Sequence, residues 1–259
     1  MDFKNKHVYI TGSNRGIGLA FAKHAASLGC HLYLLNRSGI DDKDKQELID
    51  NGAASIEEIS IDLLDRKSID DVLKKLETKH VDIFINNAGL LTGGLIEDQP
   101  LDDIYKMLQV NINGLIHISR GLVPILLKQK SGVIVNNASV SGKMFFPCAS
   151  TYAASKAAVV AFTECLSQEL RNTGASTLLV ITSGVKTEMY DDIENLYGKN
   201  LDLDFLSAVP GDKWAKSVFK SISKGDRICW PPGASRYGVW FAHHFPTLFQ
   251  KIIHSKFHR

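Results

Sequence analysis

Apolar positions along this 259-residue chain fall into two recurring patterns. Short, nearly unbroken apolar runs occupy residues 8–10, 31–35, 81–85, 132–137 and 177–181, and residues 54–61 read as a more polar strand between them. Their length and their β-branched and aromatic content predict strands, most of them buried on both faces as a parallel sheet requires. Between the runs lie stretches of helical period. They are residues 19–22, a polar segment over 41–51, a segment to His80 in which Val72, Leu73 and Leu76 recur, and 157–162. The long segment 101–129 splits into two helical patterns near Asn111. Strands alternating with helices predict βαβ crossovers around one parallel sheet, and the pattern runs on without an internal repeat or a low-complexity linker.

The first strand leads straight into Thr11-Gly12-Ser13-Asn14-Arg15-Gly16-Ile17-Gly18, and a helix follows at once. Gly12 permits a sharp turn out of the strand, and Gly16 lets backbone approach a ligand. Gly18 removes a Cβ where helix must lie on sheet. Such a loop aims the unpaired N–H groups and positive dipole end of a helix at a pyrophosphate. The second strand ends in Asn36-Arg37. In a nucleotide-binding crossover this tip meets the adenosine ribose. An acid there bonds a free 2′-hydroxyl, whereas an arginine accommodates a 2′-phosphate. With no acid at 36, Arg37 next in line and Arg15 in the loop, NADP is preferred and NAD remains possible, since Asp41 and Asp42 lie close by.

Charge and composition narrow the picture further. A net charge of +2 gives no general case for nucleic acid. Cys30, Cys148, Cys165 and Cys229 are widely spaced, without Cys-x-x-Cys or metal-spaced histidines, so no metal is expected and a reducing, cytoplasmic setting fits. The first six residues carry no signal-like apolar segment, and no uninterrupted apolar run approaches membrane-spanning length.

The spacing Gly-x-x-x-Gly-x-Gly, with Asn86-Asn87-Ala88-Gly89, Asn111, Ser139 and Tyr152-x-x-x-Lys156 in order, resembles the short-chain dehydrogenase/reductase family of the classical type. The resemblance covers residues from about Lys6 to Trp230. It implies a Rossmann-type doubly wound α/β fold of about seven strands in a single domain over 1–235, with a substrate lid over 188–210 and the tail 236–259 belonging to the same domain. It also implies a homodimer or homotetramer. Cofactor contacts are then expected from Gly12 to Gly18 (Ser13, Asn14, Arg15, Gly16 and Ile17 included), Arg37, Asp62, Leu63, Asn87, Ala88, Gly89, Tyr152, Lys156, Val185 and Thr187. Asp62 at a strand end could instead cap the next helix. The loop Ser183-Gly184-Val185-Lys186-Thr187 has Ser183 where the family has proline, which loosens its expected rigidity.

Tyr152 and Lys156 stand four residues apart, so on a helix they project from one face. A phenol titrates near 10, and a nearby ammonium favours the phenolate. Tyr152 would exchange a proton with a carbonyl or alcohol oxygen, Ser139 would orient that oxygen, and Lys156 would supply charge and bond the nicotinamide ribose. Asn111, with Asn113 as rival, would sit at a helix kink whose freed carbonyl holds a water beside the lysine. Ser141 competes with Ser139. The expected activity is interconversion of a secondary alcohol and a carbonyl on a hydrophobic small molecule. A non-catalytic cofactor sensor or scaffold, and a cofactor-retaining epimerase or dehydratase, are the alternatives.

Residues 188–210 carry Met189, Tyr190, Ile193, Leu196, Tyr197, Leu201, Leu203, Phe205 and Leu206, which suit an apolar substrate pocket or a helix packed on the core. Met189 and Tyr190 are the candidate substrate contacts. From Arg227 to Arg259 there is no acid, yet there are five Lys/Arg. Phe245, Leu248, Phe249, Ile252, Ile253 and Phe257 recur at helical spacing after Pro246. This tail could lie on an anionic membrane as a peripheral contact, dock on a partner subunit or roof the pocket.

Overall fold

The apolar runs become one sheet because each must hide both faces. The computed structural model describes residues 1–204 and 206–259. Its strands are β1 (His7–Thr11), β2 (His31–Asn36), β3 (Ser55–Ser60), β4 (Ile83–Asn86), β5 (Gly132–Ser139), β6 (Ala175–Thr182), the short pair β7 (Gly184–Val185) and β8 (Ala208–Val209), and β9 (Ile228–Cys229). Seven form a parallel sheet in the order β3-β2-β1-β4-β5-β6-β9, while β7 and β8 pair separately. The order reverses between β1 and β4, and at such a switch point the carboxyl ends of the strands open a crevice.

Helices α1 (Gly16–Ser27), α2 (Asp42–Asp50), α3 (Arg66–Leu76), α4 (Leu101–Leu108), α5 (Leu115–Gln129), α6 (Ser150–Glu169), α7 (Glu188–Tyr197), α8 (Gly211–Lys224), α9 (Ala234–His244) and α10 (Pro246–His254) complete the chain. Along β1 successive side chains take opposite faces. Val8 and Ile10 pack with Phe21 of α1, Leu48 of α2 and Trp214 of α8. Tyr9 packs with Ile69 of α3, Leu122 of α5 and Leu166 of α6. Each fully buried side chain of this kind contributes roughly 1.5–3 kcal/mol. The predicted third strand is present but largely exposed, because β3 is the sheet edge and has a neighbour on one side only.

Between α4 and α5 the backbone widens into a π-helical turn, Gln109–Gly114, so the segment near Asn111 is a continuous helix with a local bulge. This helix, Leu101–Gln129, is long and apolar enough to cross a membrane, but Ile118, Leu122 and Leu126 are buried in the core beneath the sheet. Helices α8 and α9 and the two-residue strand β9 lie outside the elements the sequence pattern predicts. For α8 the signal was available, since Trp214, Ala215, Val218, Phe219 and Ile222 are buried at helical spacing. Phe205, counted among the apolar residues of the 188–210 segment, lies outside the described residues.

Phe84 on β4 is fully buried with its ring 6.0 Å from that of Tyr9, while Leu101 at the start of α4 is 70% exposed. Phe84→Ala is therefore expected to lose about 3–5 kcal/mol in urea denaturation, and Leu101→Ala less than about 0.5 kcal/mol.

Candidate active site

The glycine loop is built by steric exclusion. Gly12 has φ of +64°, and a Cβ there would stand 2.9 Å from the Ala88 Cα. At Gly18 a Cβ would fall 1.9 Å from the Gly12 carbonyl oxygen. No side chain caps α1, and no acid occupies its first turn, so its amide end faces the cleft without a competing anion.

The loop is held by amide side chains. Asn36 Oδ1 accepts from the backbone N–H of Ser13 at 2.7 Å and of Asn14 at 3.1 Å, and from the Ser13 hydroxyl at 3.2 Å. Ser13, expected to touch cofactor, is fully buried and turned into this bond, away from the cleft. The Asn36 Nδ2 is buried and has no acceptor among the described residues. A second chain of bonds crosses the strand ends. Trp214 Nε1 donates to Thr182 Oγ1 (3.2 Å), which donates to Asn137 Oδ1 (2.5 Å). Asn137 Nδ2 donates to Asn87 Oδ1 (3.1 Å), and Asn87 Nδ2 donates to the carbonyls of Thr11 and Gly12 (3.1 Å each). Asn87 thus pins the turn from behind. Asn87, expected as a cofactor contact, also ties neighbouring strand ends together, and Asn36, Asn137 and Thr182 have roles that sequence reasoning missed. Their only signal was a polar amide or hydroxyl at the end of an apolar run.

Ser139 at the end of β5 and Tyr152 on α6 meet, close enough for the serine hydroxyl to favour the phenolate. The Ser141 backbone N–H donates to Ser139 Oγ at 3.1 Å, so Ser141 supports Ser139. Lys156, one turn along α6, is buried, and its ammonium donates to the Asn137 carbonyl at 2.9 Å. Asn111 is buried in the π-turn. Its Oδ1 accepts from Leu90 N–H (2.8 Å) and its Nδ2 donates to Leu90 O and Ser155 Oγ. Among the described residues the Asn113 side chain bonds Gln109 alone, on an exposed face. Gly89 brings these parts together, since a Cβ there would lie 3.2 Å from Asn111 Oδ1 and 3.7 Å from Lys156 Nζ.

The electrostatics differ from the expected phenol made acidic by its lysine. Burial pushes the Tyr152 phenol up to about 12, opposed by the Ser139 hydroxyl. Burial also pulls the Lys156 ammonium down to about 8. Its nitrogen stands 5.7 Å from the centroid of the Tyr152 ring, over the face of the ring. Among the protein's own groups, desolvation outweighs attraction.

One cleft of about 1210 Å³ connects these residues. Gly12, Asn14, Arg15, Gly16, Ile17, Arg37, Asp62, Leu63, Ala88 and Gly89 line one end. Ser139, Tyr152, Lys156, Val185, Thr187, Met189 and Tyr190 line the rest. Asp62 does not cap α3: its carboxylate accepts from Leu64 N–H, and Asp65 makes the cap. Thr187 caps α7 and stands against the glycine loop, where a Cβ on Gly16 would be 3.5 Å from its methyl. Arg15 is ion-paired to Glu188 at 2.8 Å across the mouth, a partner not anticipated for it. Arg37 is exposed, and among the described residues no ion pair engages it. The crossing amides, the unopposed helix end and the unpaired Asn36 donor fit a dinucleotide laid from the glycine loop to Lys156.

Fold and cleft together put the protein in the class of dinucleotide-dependent α/β enzymes. Residues 6–197 match the sequence model of the family described as short chain dehydrogenase, and the chain belongs to that family of oxidoreductases. An oxidoreductase of Staphylococcus epidermidis without an assigned substrate is 34% identical over 188 residues, covering 72% of this chain and 80% of the relative. A 3-oxoacyl-[acyl-carrier-protein] reductase of Synechocystis is 30% identical over 188 residues, covering 71% and 76%. A short-chain dehydrogenase/reductase from Burkholderia phymatum, solved with NAD, superposes with a TM-score of 0.82 at 28% identity and covers 96% of each chain.

Because the folded-state pKa of Lys156 lies below its unfolded value, its burial penalty is full below about pH 8 and fades as pH rises toward 10.5. Lys156→Met should therefore stabilise the cofactor-free protein at pH 7 by about 1–3 kcal/mol, with a smaller gain at about pH 9.5. Thermal unfolding at the two pH values checks both the sign and the trend.

Proposed function

We propose that the protein is an NADP(H)-dependent short-chain dehydrogenase/reductase that reduces a hydrophobic ketone or aldehyde to the alcohol. The observation that carries this reading is the convergence of Ser139, Tyr152 and Lys156 in one cleft with an unopposed phosphate cradle. The bound nicotinamide supplies or accepts the hydride. Tyr152 gives its proton to the carbonyl oxygen, and the Ser139 hydroxyl donates to the same oxygen and holds it in line. Lys156 contributes a cation beside the tyrosine and a donor toward the nicotinamide ribose. Asn111 keeps the π-turn open so that backbone next to Lys156 can hold a water.

The phenol's protonation bears on the rate of each direction. At neutral pH a tyrosine pushed up to about 12 is a proton donor, and reduction needs the donor form. Oxidation needs the phenolate, which is scarce. Preference for NADP over NAD is supported by Asn36 in place of an acid, its buried amide nitrogen without an acceptor among the described residues, and Arg37 at the same rim, which no ion pair engages among the described residues. Arg15 belongs with them once Glu188 releases it. Met189, Tyr190, Ile193 and Tyr197 of α7, with Leu203 and Leu206 after it, line the far end of the cleft and support an apolar substrate. They serve as the lid in this reading, over 188–210. The free cysteines fit a reducing, cytoplasmic setting. The outer faces of α5 and α6 are our choice for a homodimer or homotetramer contact.

Tyr152→Phe is expected to lower kcat for a panel of apolar ketones by at least about a hundredfold, with the dissociation constant for NADPH, measured by fluorescence titration, within about threefold of wild type. Retained turnover would end the proposed proton-donor role. Arg37→Ala should weaken NADPH binding by about tenfold and leave NADH unchanged, a loss of one charge-assisted contact. For the wild type, alcohol oxidation should accelerate with pH between about 7 and 9 as phenolate grows, while carbonyl reduction does not. Parallel pH profiles of the two directions test this.

A further inference from the structure

We propose that α9 and α10 form a docking surface for an anionic phospholipid bilayer. The two helices are amphipathic in opposite senses on their two sides. Gly238 and Phe241 of α9 and Phe249 and Ile253 of α10 face inward and line the cleft. On the other side Tyr237 is 74% exposed, and Trp240, Phe245, Leu248 and Ile252 are each about half exposed. These outward groups are contiguous across the helix joint. The Trp240 ring stacks on His244 at 4.7 Å and lies 6.0 Å from the ring of Phe245. Leu248 and Ile252 continue the stripe one turn apart on α10.

Charge decides what covers this face. Arg236, His243, His244, Lys251 and His254 are exposed on the same two helices, and the chain has no acid from Arg227 to Arg259. Arg259 is held by Glu97, but among the described residues no ion pair engages Arg236 or Lys251. A second copy docking here through a two-fold contact would bring two copies of a basic segment that carries no acid of its own together, which opposes association. A bilayer satisfies both features, since aromatic rings settle at headgroup depth and basic side chains meet anionic lipid. The surface also adjoins the site. Ile252 lines the cleft and is itself about half exposed, at the edge between cleft and surface, so docking brings the mouth of the cleft to the lipid boundary. The docking surface stands on its own observations and does not depend on the proposed reaction.

Co-sedimentation of the full-length protein with phosphatidylcholine vesicles, with and without about a third phosphatidylglycerol, tests the proposal. Partitioning onto the anionic vesicles should exceed that onto neutral ones by about tenfold or more and fall as salt is raised. The exposed variant Trp240→Ser/Phe245→Ser/Leu248→Ser and the charge variant Arg236→Gln/Lys251→Gln should each reduce it by about tenfold. Trp240 gives a second readout that does not depend on the folding of a triple variant. Tryptophan emission should shift to the blue on anionic vesicles in wild type and not in Trp240→Phe, because Trp214 is buried and Trp230, outside the two helices, is packed on the core beneath the Lys143 ammonium. No preference for anionic vesicles, or unchanged binding by both variants, would overturn the proposal. So would a triple variant that dissociates a solution oligomer while binding vesicles as wild type does, which would assign the face to a second copy.

Discussion

Lys156 carries a positive charge into a place where one backbone carbonyl, that of Asn137, is its bonded partner. Much of the site is arranged around keeping that cation in place. The carbonyl belongs to a residue whose side chain is held by Thr182 and itself holds Asn87. Gly89 leaves space beside the ammonium, and Asn111 closes that space from the π-turn. A buried charge with so little compensation costs stability. Its retention points to use rather than packing, because a methionine would fill the same volume without the desolvation penalty.

The same desolvation sets the character of the tyrosine. In water a phenol beside an ammonium would become more acidic, but here both groups move toward their neutral forms. The protein alone holds a proton on Tyr152 and loosens one on Lys156. That combination suits donation to a carbonyl oxygen better than abstraction from an alcohol. The serine opposes the shift only in part, so its larger part in the proposed chemistry is geometric.

Around this centre the cleft has two kinds of wall. At the nucleotide end it is backbone and short polar side chains, tied together by amides reaching across strand ends. At the other end it is apolar, contributed by α7, the segment after it, and α9 with α10. The two ends touch at the mouth through Arg15 and Glu188, an exposed pair of small energetic weight. A pair so weakly held can open without unravelling either element, which is consistent with a mouth that admits ligand.

The fold was legible because a parallel sheet covered on both faces demands unbroken apolar runs, and β1, β2 and β5 therefore stand out in the chain. The pairing of Tyr152 with Lys156 was legible for an equally local reason, the four-residue repeat of a helix face. Asn111 was preferred over Asn113 from the register of the family pattern, and the structure supplies the physical difference, since both sit in the same turn and one faces the core. The bonds from Asn36 to the glycine loop and from Trp214 through Thr182 to Asn137 join residues far apart in sequence, so no periodicity records them. Only the packed structure decided how far burial moves the two ionisable groups, and which side of the C-terminal helices meets the cleft. Desolvation and facing depend on what lies opposite a side chain, and the order of residues along one strand or helix does not contain that information.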